Sequence, residues 1–138
     1  MLKAVLDTNI FISAIHFGGS PAEVIREGLG GKARFFISRE IIAEVIGVLR
    51  KKFLYEEEVL EEVEDLLGRT CELVEPRQTV KIIKDKPSDN RIIECALESK
   101  SDYIVSGDKR HLLSLKKYRR IRLVSAGHFL DILKALPE

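Results

Sequence analysis

Apolar residues along this chain alternate between two patterns. Short continuous apolar runs, typical of buried strands, are followed by stretches in which apolar residues recur at helical spacing. The runs predict strands at 3–7, 34–37, 71–74, 103–105 and 121–124, with a weaker candidate at 80–83. The spaced patterns predict helices at 10–15, 20–30, 38–53, 55–67, 91–99 and 126–136, with a short one around Leu112, Leu113 and Leu115.

Predicted strands alternate with predicted helices along the whole chain, without repeats or low-complexity linkers. This alternation predicts an α/β sandwich around a mainly parallel sheet, folded as a single domain over residues 1–138. In such sheets the loops at the carboxyl ends of the strands form a crevice where the strand order reverses. Functional side chains are therefore expected at that edge.

Two of the predicted helices have recognisable starts. Ser20, Pro21 and Glu23 form a capping box with proline at the first helical position, so Ser20 is expected to cap the helix. Ser38 is placed to cap the next helix, whose apolar residues follow one broad face.

Length and composition fit one ordered globular domain. The chain has 138 residues, of which 45% are hydrophobic and 33% are charged. No run approaches the length of a membrane span and the N-terminus lacks the pattern of a secretion signal, so we expect a cytoplasmic protein. Cys71 and Cys95 lie in apolar surroundings without metal-ligand spacing and are expected to be small core residues.

The net charge of +1 hides an uneven distribution. Residues 55–65 carry acids and no base, whereas residues 109–122 carry bases and no acid. A solvated face is the simpler interpretation of either block, and the acidic one has the apolar spacing of a surface helix. The basic block follows a strand end and could hold a polyanionic backbone at the crevice. Its candidate contacts are Lys109, Arg110, Lys116 and Lys117.

Four acids are candidates for chemistry, and each has a structural alternative. Asp7 ends the first strand and could cap the turn that follows, and Asp89 could cap the helix after it. Asp108 is a good turn residue. Glu44 lies on the flank of an apolar helical stripe, where a lone glutamate is usually solvated. Taken singly, none of these acids indicates a site.

Their joint placement favours a metal centre. If the first strand and the strand before Asp108 are neighbours, Asp7 and Asp108 face one crevice, with Asp89 at the mouth of a helix and Glu44 at the side. Close carboxylates repel one another unless a cation offsets them, and Mg²⁺ or Mn²⁺ prefers oxygen ligands. Such a metal could polarise a phosphate and lower the pKa of a bound water, which suits phosphodiester hydrolysis.

The segments that contain these acids resemble motifs of the PIN domain family. They are LDTN with Asp7, REIIAEV with Glu44, PSDNRIIECAL with Asp89 and DYIVSGDKRHL with Asp108, in the family's order over nearly the whole chain. The likeness is greatest to small stand-alone PIN proteins described as toxins of toxin–antitoxin pairs, the VapC-like ribonucleases. It implies a Rossmann-like three-layer α/β/α fold, ribonuclease activity with Mg²⁺ or Mn²⁺ on RNA, frequent homodimers and an antitoxin partner.

By position, the resemblance also implies residue roles. The four acids would be the catalytic metal ligands, and three polar residues, Thr8, Asn9 and Ser106, would orient them. The histidines share no ligand spacing and are expected to be surface or cap residues, with the one that follows Arg110 the most interesting. They are His16, His111 and His128.

The chain departs from the family pattern at two places. Many relatives have GDKD where this chain has Gly107, Asp108, Lys109 and Arg110, so a base replaces an acid. This change argues against a second metal ion and could favour phosphate binding. Relatives also often have an acid where this chain has Lys86, and the preceding residue, an aspartate at position 85, could substitute for it.

Two other functions are compatible with the sequence. Phosphatases of the haloacid dehalogenase type also begin with an aspartate after the first strand, but they need a second acid where this chain has Asn9. A non-catalytic module, in which the acids are caps and the basic block docks RNA or a partner protein, predicts RNA binding that is indifferent to divalent metal. The apolar helices at 38–67 could form a dimer face, although core packing explains them equally well.

Overall fold

In the computed structural model, which describes residues 1–137, a sheet of six strands is flanked by helices. The strands are β1 (Leu2–Leu6), β2 (Ala33–Ile37), β3 (Cys71–Leu73), β4 (Tyr103–Val105), β5 (Lys117–Tyr118) and β6 (Ile121–Val124). The helices are α1 (Thr8–His16), α2 (Gly19–Glu27), α3 (Arg39–Lys51), α4 (Glu57–Thr70), α5 (Asp89–Ser99), α6 (Leu112–Leu115) and α7 (Ala126–Ala135), with a π-helical turn at Gly28–Lys32. Over these residues, no helix combines the length and the apolar character needed to cross a membrane.

The sheet has the strand order β3-β2-β1-β4-β6-β5, and every pair is parallel except β5 with β6. Successive strands run outward from β1 in one direction and from β4 in the other, so the strand order reverses between β1 and β4. These two strands are direct neighbours, with Val5 opposite Ile104 and Leu6 opposite Val105. The predicted α/β sandwich with a mainly parallel, Rossmann-like sheet is confirmed, and the condition set for the acids, that these two strands are neighbours, is met.

The core forms because both faces of the central strands are covered. Ala4, Val5 and Leu6 are fully buried, as expected for a parallel strand that reads as a continuous apolar run. Helix α5 packs on β1, β2 and β4, while α2 packs on α1 and α7, and α3 packs on α4. Cys71 and Cys95 are buried free thiols, and burial raises the pKa of both to about 12, so they serve as core residues.

The two predicted helix starts have different outcomes. Ser38 caps α3 as predicted, since its Oγ accepts a hydrogen bond from the backbone N of Ile41 at 3.3 Å. Ser20 does not cap α2, because that helix already begins at Gly19 and its cap residue is Gly18. Gly18 and Gly19 have φ values of 81° and 66°, which glycine adopts easily, so the chain turns into the helix before it reaches Ser20.

The weaker strand candidate at 80–83 is not a strand. Its backbone is paired by side chains of α5 instead of by a neighbouring strand. The Oδ1 of Asn90 accepts hydrogen bonds from the backbone N of Ile82 at 3.0 Å and of Ile83 at 2.9 Å, and its Nδ2 donates to the carbonyl of Ile83 at 2.9 Å. The carboxylate of Glu94 accepts from the backbone N of Val80 at 2.9 Å. These contacts anchor the loop that leads into α5.

We therefore expect Asn90→Ala to destabilise the protein by about 2–4 kcal/mol, because it removes a buried amide and leaves the backbone N–H groups of Ile82 and Ile83 without partners. Chemical denaturation with urea would measure the change. Asn9→Ala, which removes an exposed amide, is the matched control and should change stability by no more than about 0.5 kcal/mol. Equal effects of the two substitutions would contradict the anchoring role of Asn90.

Candidate metal centre

Two acids meet at the carboxyl ends of β1 and β4. Asp7 directly follows β1, and its backbone N donates to the carbonyl of Val105 at 2.9 Å. Ser106 directly follows β4, and its Oγ donates to Oδ2 of Asp7 at 2.7 Å while it accepts from the backbone N of Asp108 at 3.0 Å. The buried hydroxyl of Ser106 therefore links Asp7 to Asp108.

Asp7 is almost completely buried, with 1% of its surface exposed. Burial raises the pKa of its carboxyl, whereas the hydrogen bond from Ser106 and the positive charge of Lys86 act in the opposite direction. Asp7 occupies the cap position of α1, but its side chain makes no capping hydrogen bond. The structural alternative for Asp7, a simple helix cap, therefore lacks its contact.

Glu44 reaches the site from α3. The hydroxyl of the buried Thr8 donates a hydrogen bond to Oε1 of Glu44, so Thr8 ties this glutamate to the residue after Asp7. Asn9 differs from Thr8, because it is exposed and its side chain makes no hydrogen bond within residues 1–137. The predicted orienting role of Asn9 has no contact to support it.

Asp89 is the first residue of α5, and 2% of its surface is exposed. Burial raises the pKa of its carboxyl to about 6, the negative charges of Asp7 and Asp108 add to this effect, and Lys86 partly offsets it. Its Oδ2 has no hydrogen-bond partner among the residues that the structure describes. A buried carboxylate oxygen without a partner is costly, and a bound cation would satisfy it.

Asp108 stabilises the turn that follows it and also lies at the site. Its Oδ1 accepts hydrogen bonds from the backbone N of Arg110 at 3.1 Å and of His111 at 3.2 Å. Its Oδ2 lies 2.9 Å from Nδ1 of His111. Burial opposes ionisation of Asp108, but the hydrogen bonds with His111 and Arg110 outweigh it and lower the pKa of the carboxyl.

Lys86 lies among these acids. Its Nζ is 3.6 Å from Oδ1 of Asp89 and 3.7 Å from Oδ2 of Asp108. Burial lowers the pKa of this amine, but the negative charges of the surrounding acids outweigh burial and raise it. Asp85, proposed from the sequence as a substitute acid, is exposed.

A set of potential ligand atoms is already clustered. Potential ligand atoms of Asp89, Asp108 and His111 lie within 4.8 Å of one another. Within the described part of the chain, this is the group of at least three acidic, histidine or cysteine side chains that comes so close together. The expectation that His111 is a surface or cap residue is therefore incomplete, because its ring contacts a site acid. Its spacing of three residues from Asp108 is the signal in the sequence. The carboxylates of this set suit a hard divalent ion such as Mg²⁺ or Mn²⁺.

The basic block divides between two places. Lys109 and Arg110 are exposed beside Asp108 at the crevice. Lys116 lies between α6 and the edge strand β5, where its carbonyl accepts from the backbone N of Leu123, and Lys117 lies on β5. Lys117 pairs with Arg122 of β6, which in turn pairs with Tyr103, the first residue of β4. Lys117 therefore lies level with the amino end of β4, whereas the acids lie at the carboxyl ends of the strands.

In open α/β sheets ligands bind in the crevice where the strand order reverses, and the acids of this chain gather at that point. A family model described as PIN domain matches residues 3–110, and the chain belongs to the PIN domain family. The uncharacterized protein MJ1680 of Methanocaldococcus jannaschii is 30% identical over 128 residues, which cover 87% of this chain and 81% of that protein.

Three solved structures share the fold. VapBC2 from Rickettsia felis, bound to a DNA fragment from its promoter, has a TM-score of 0.62 at 18% identity and covers 90% of this chain and 98% of its own. VapBC-1 from nontypeable Haemophilus influenzae has a TM-score of 0.65 at 15% identity, with coverages of 91% and 99%. PAE2754 from Pyrobaculum aerophilum has a TM-score of 0.63 at 14% identity, with coverages of 98% and 91%.

The raised pKa of Asp89 predicts a pH-dependent cost to the fold. Because the folded protein holds this proton more tightly than an ordinary aspartate with a pKa of 3.8, stability is lost as pH rises from about 4 to about 6. Without metal, Asp89→Asn should raise the free energy of unfolding by about 1–3 kcal/mol near pH 7.5 and change it little near pH 4.

Urea denaturation in the presence of a chelator at both pH values would measure this difference. Asp85→Asn, which neutralises an exposed acid of the same loop, is the control and should change stability little at either pH. An effect of Asp89→Asn that is the same at both pH values would show that ionisation of Asp89 does not cost stability.

Proposed function

We propose that this protein is a metal-dependent endoribonuclease. The observation that carries the proposal is the buried, unpartnered oxygen of Asp89, which lies in a cluster with Asp108 in a member of the PIN domain family. Asp7 and Glu44 belong to the same electrostatic group, since the charges of both raise the pKa of Lys86. Several acids, one of them with an unsatisfied oxygen, fit a hard divalent ion.

In this proposal Asp7, Glu44, Asp89 and Asp108 hold Mg²⁺ or Mn²⁺. The bound ion would supply Lewis acidity and a water of lowered pKa for attack on phosphorus. Ser106 keeps Asp7 in place through its 2.7 Å hydrogen bond, and the backbone N–H groups that follow Asp108 hold that carboxylate in its ionised form. Because these donors are in place before a substrate arrives, little reorganisation is needed on binding.

Lys109 and Arg110 are the proposed contacts for the RNA backbone. Both are exposed beside Asp108, so a phosphate held by them lies next to the acids. Contacts of this kind provide affinity and orientation but carry no sequence information. The proposal therefore includes RNA as a class of substrate and no particular target sequence.

We further infer that the protein acts as the toxin of a toxin–antitoxin pair, with an antitoxin protein as partner. The support is the similarity of its fold to VapBC2 and VapBC-1. If so, expression of the wild-type chain alone should arrest the growth of a host cell, whereas the Asp7→Asn variant should not. A homodimer stays a prediction from the family resemblance.

A non-catalytic RNA-binding module is the main alternative, since it also fits the fold and the basic residues at the crevice. It does not explain why Asp89 buries an oxygen without a partner. Membership of the PIN domain family counts against a haloacid dehalogenase-type phosphatase, as does the absence of an acid at Asn9.

Asp7→Asn should lower cleavage of a generic RNA by about two orders of magnitude or more, because it removes a charged ligand at the centre of the proposed site. Gel analysis of RNA fragments in Mn²⁺ or Mg²⁺, with and without a chelator, would measure this. Asp131→Asn, which neutralises an exposed aspartate of α7, is the control and should cleave like wild type. Cleavage that survives both the chelator and Asp7→Asn would refute the proposed function.

The division of the basic block predicts which cations contact RNA. In an Asp7→Asn background, which keeps the RNA intact, the double substitution Lys109→Gln and Arg110→Gln should weaken binding of single-stranded RNA. It should also reduce the slope of log affinity against log salt by about 1.4, since each phosphate contact contributes about 0.7. The double substitution Lys116→Gln and Lys117→Gln removes the same charge and should change neither quantity. Fluorescence anisotropy would measure both, and equal losses in the two variants would mean that net charge alone governs binding.

A further inference from the structure

Lys86 is the one lysine of residues 1–137 whose ammonium bridges two of the proposed metal ligands. Its Nζ lies 3.6 Å from Oδ1 of Asp89 and 3.7 Å from Oδ2 of Asp108. The negative charges of Asp7 and Glu44 also raise the pKa of this ammonium, without a contact between them. An ammonium in that position offsets the repulsion between the acids in the way that a metal ion would.

The contacts of Lys86 are incompatible with a second divalent ion on the same carboxylate oxygens. A divalent ion such as Mg²⁺ binds carboxylate oxygens at about 2.0–2.1 Å, so an ion on the same oxygens would lie against the ammonium and be repelled by it. Oδ2 of Asp89 is the oxygen that Lys86 leaves free, because the ammonium pairs with Oδ1. An ion held by Asp89 would therefore use Oδ2, while Lys86 keeps its contact with Oδ1.

Lys86 is also held in place by its loop. The segment before it is fixed to α5 through Asn90 and Glu94, and the backbone N of Asp89 donates to the carbonyl of Lys86 at 3.0 Å. The side chain is 37% exposed, so its approach to the acids is not a consequence of complete burial. The loop therefore places the ammonium beside the acids, on the side of the site that faces solvent.

We propose that Lys86 is a built-in cation that takes the place of one divalent ion, so that this site holds a single divalent ion. The inference rests on the proposed function, because it assumes that the acids bind a divalent metal. It assigns to Lys86 a positioning role, in which the lysine sets the number and affinity of ions without contacting the substrate.

Titration of the full chain, first freed of metal, with Mn²⁺ in an isothermal calorimeter tests the proposal without any assay of activity. Wild type should bind one Mn²⁺ per chain. Lys86→Gln should bind Mn²⁺ about tenfold more tightly or take up a second ion, because the competing charge is gone. Lys86→Arg keeps the charge and should bind like wild type, as should Lys84→Gln, which removes an exposed lysine of the same loop.

Thermal unfolding in a chelator gives a second readout. Lys86→Gln should melt at a lower temperature than Lys84→Gln, because the acids then lack their internal cation. Two ions on wild type, or a single ion on Lys86→Gln with an affinity within about twofold of wild type, would overturn the role of Lys86 and leave the proposed function standing. If neither wild type nor Lys86→Gln binds Mn²⁺, the role of Lys86 and the proposed function are both overturned.

Discussion

The mutual repulsion of buried carboxylates is the constraint around which this structure is organised. Asp7 and Asp89 are each almost fully buried, and the charge of Asp7 raises the pKa of Asp89. Water is largely excluded from both, so their charges are screened less than they would be on the surface. A protein that only needed stability would place apolar side chains there, and retention of the acids is a cost that a binding function explains.

The surroundings reduce that cost without removing it. Ser106 donates to Asp7, the turn after β4 donates to Asp108, and Lys86 lies between Asp108 and Asp89. Each contact favours the ionised form of an acid, yet within residues 1–137 Oδ2 of Asp89 has no partner. The acids are thus only partly neutralised by the groups around them.

The helix that presents Asp89 also fixes the loop that presents Lys86. Asn90 and Glu94 of α5 hold the backbone of residues 80–83, and this pairing replaces the strand that the apolar run at 80–83 suggested. Stability and site geometry are therefore coupled through the same buried side chains. A substitution of Asn90 or Glu94 would therefore change the positions of the acids as well as the free energy of unfolding.

The sequence alone determined the alternation of strands and helices and the cap at Ser38, because periodicity and capping are local properties of the chain, whereas the pairing of β1 with β4 entered only as a condition that the fold then met. It also predicted that Asp7 and Asp108 would share one edge, since both follow strands of a parallel sheet. Only the tertiary structure decided that Lys86 and His111 contact the acids, that Asn9 faces solvent and that Lys117 lies far from the crevice. These outcomes depend on the paths of loops and the directions of side chains, which are set by packing between segments distant in the chain and not by spacing along it.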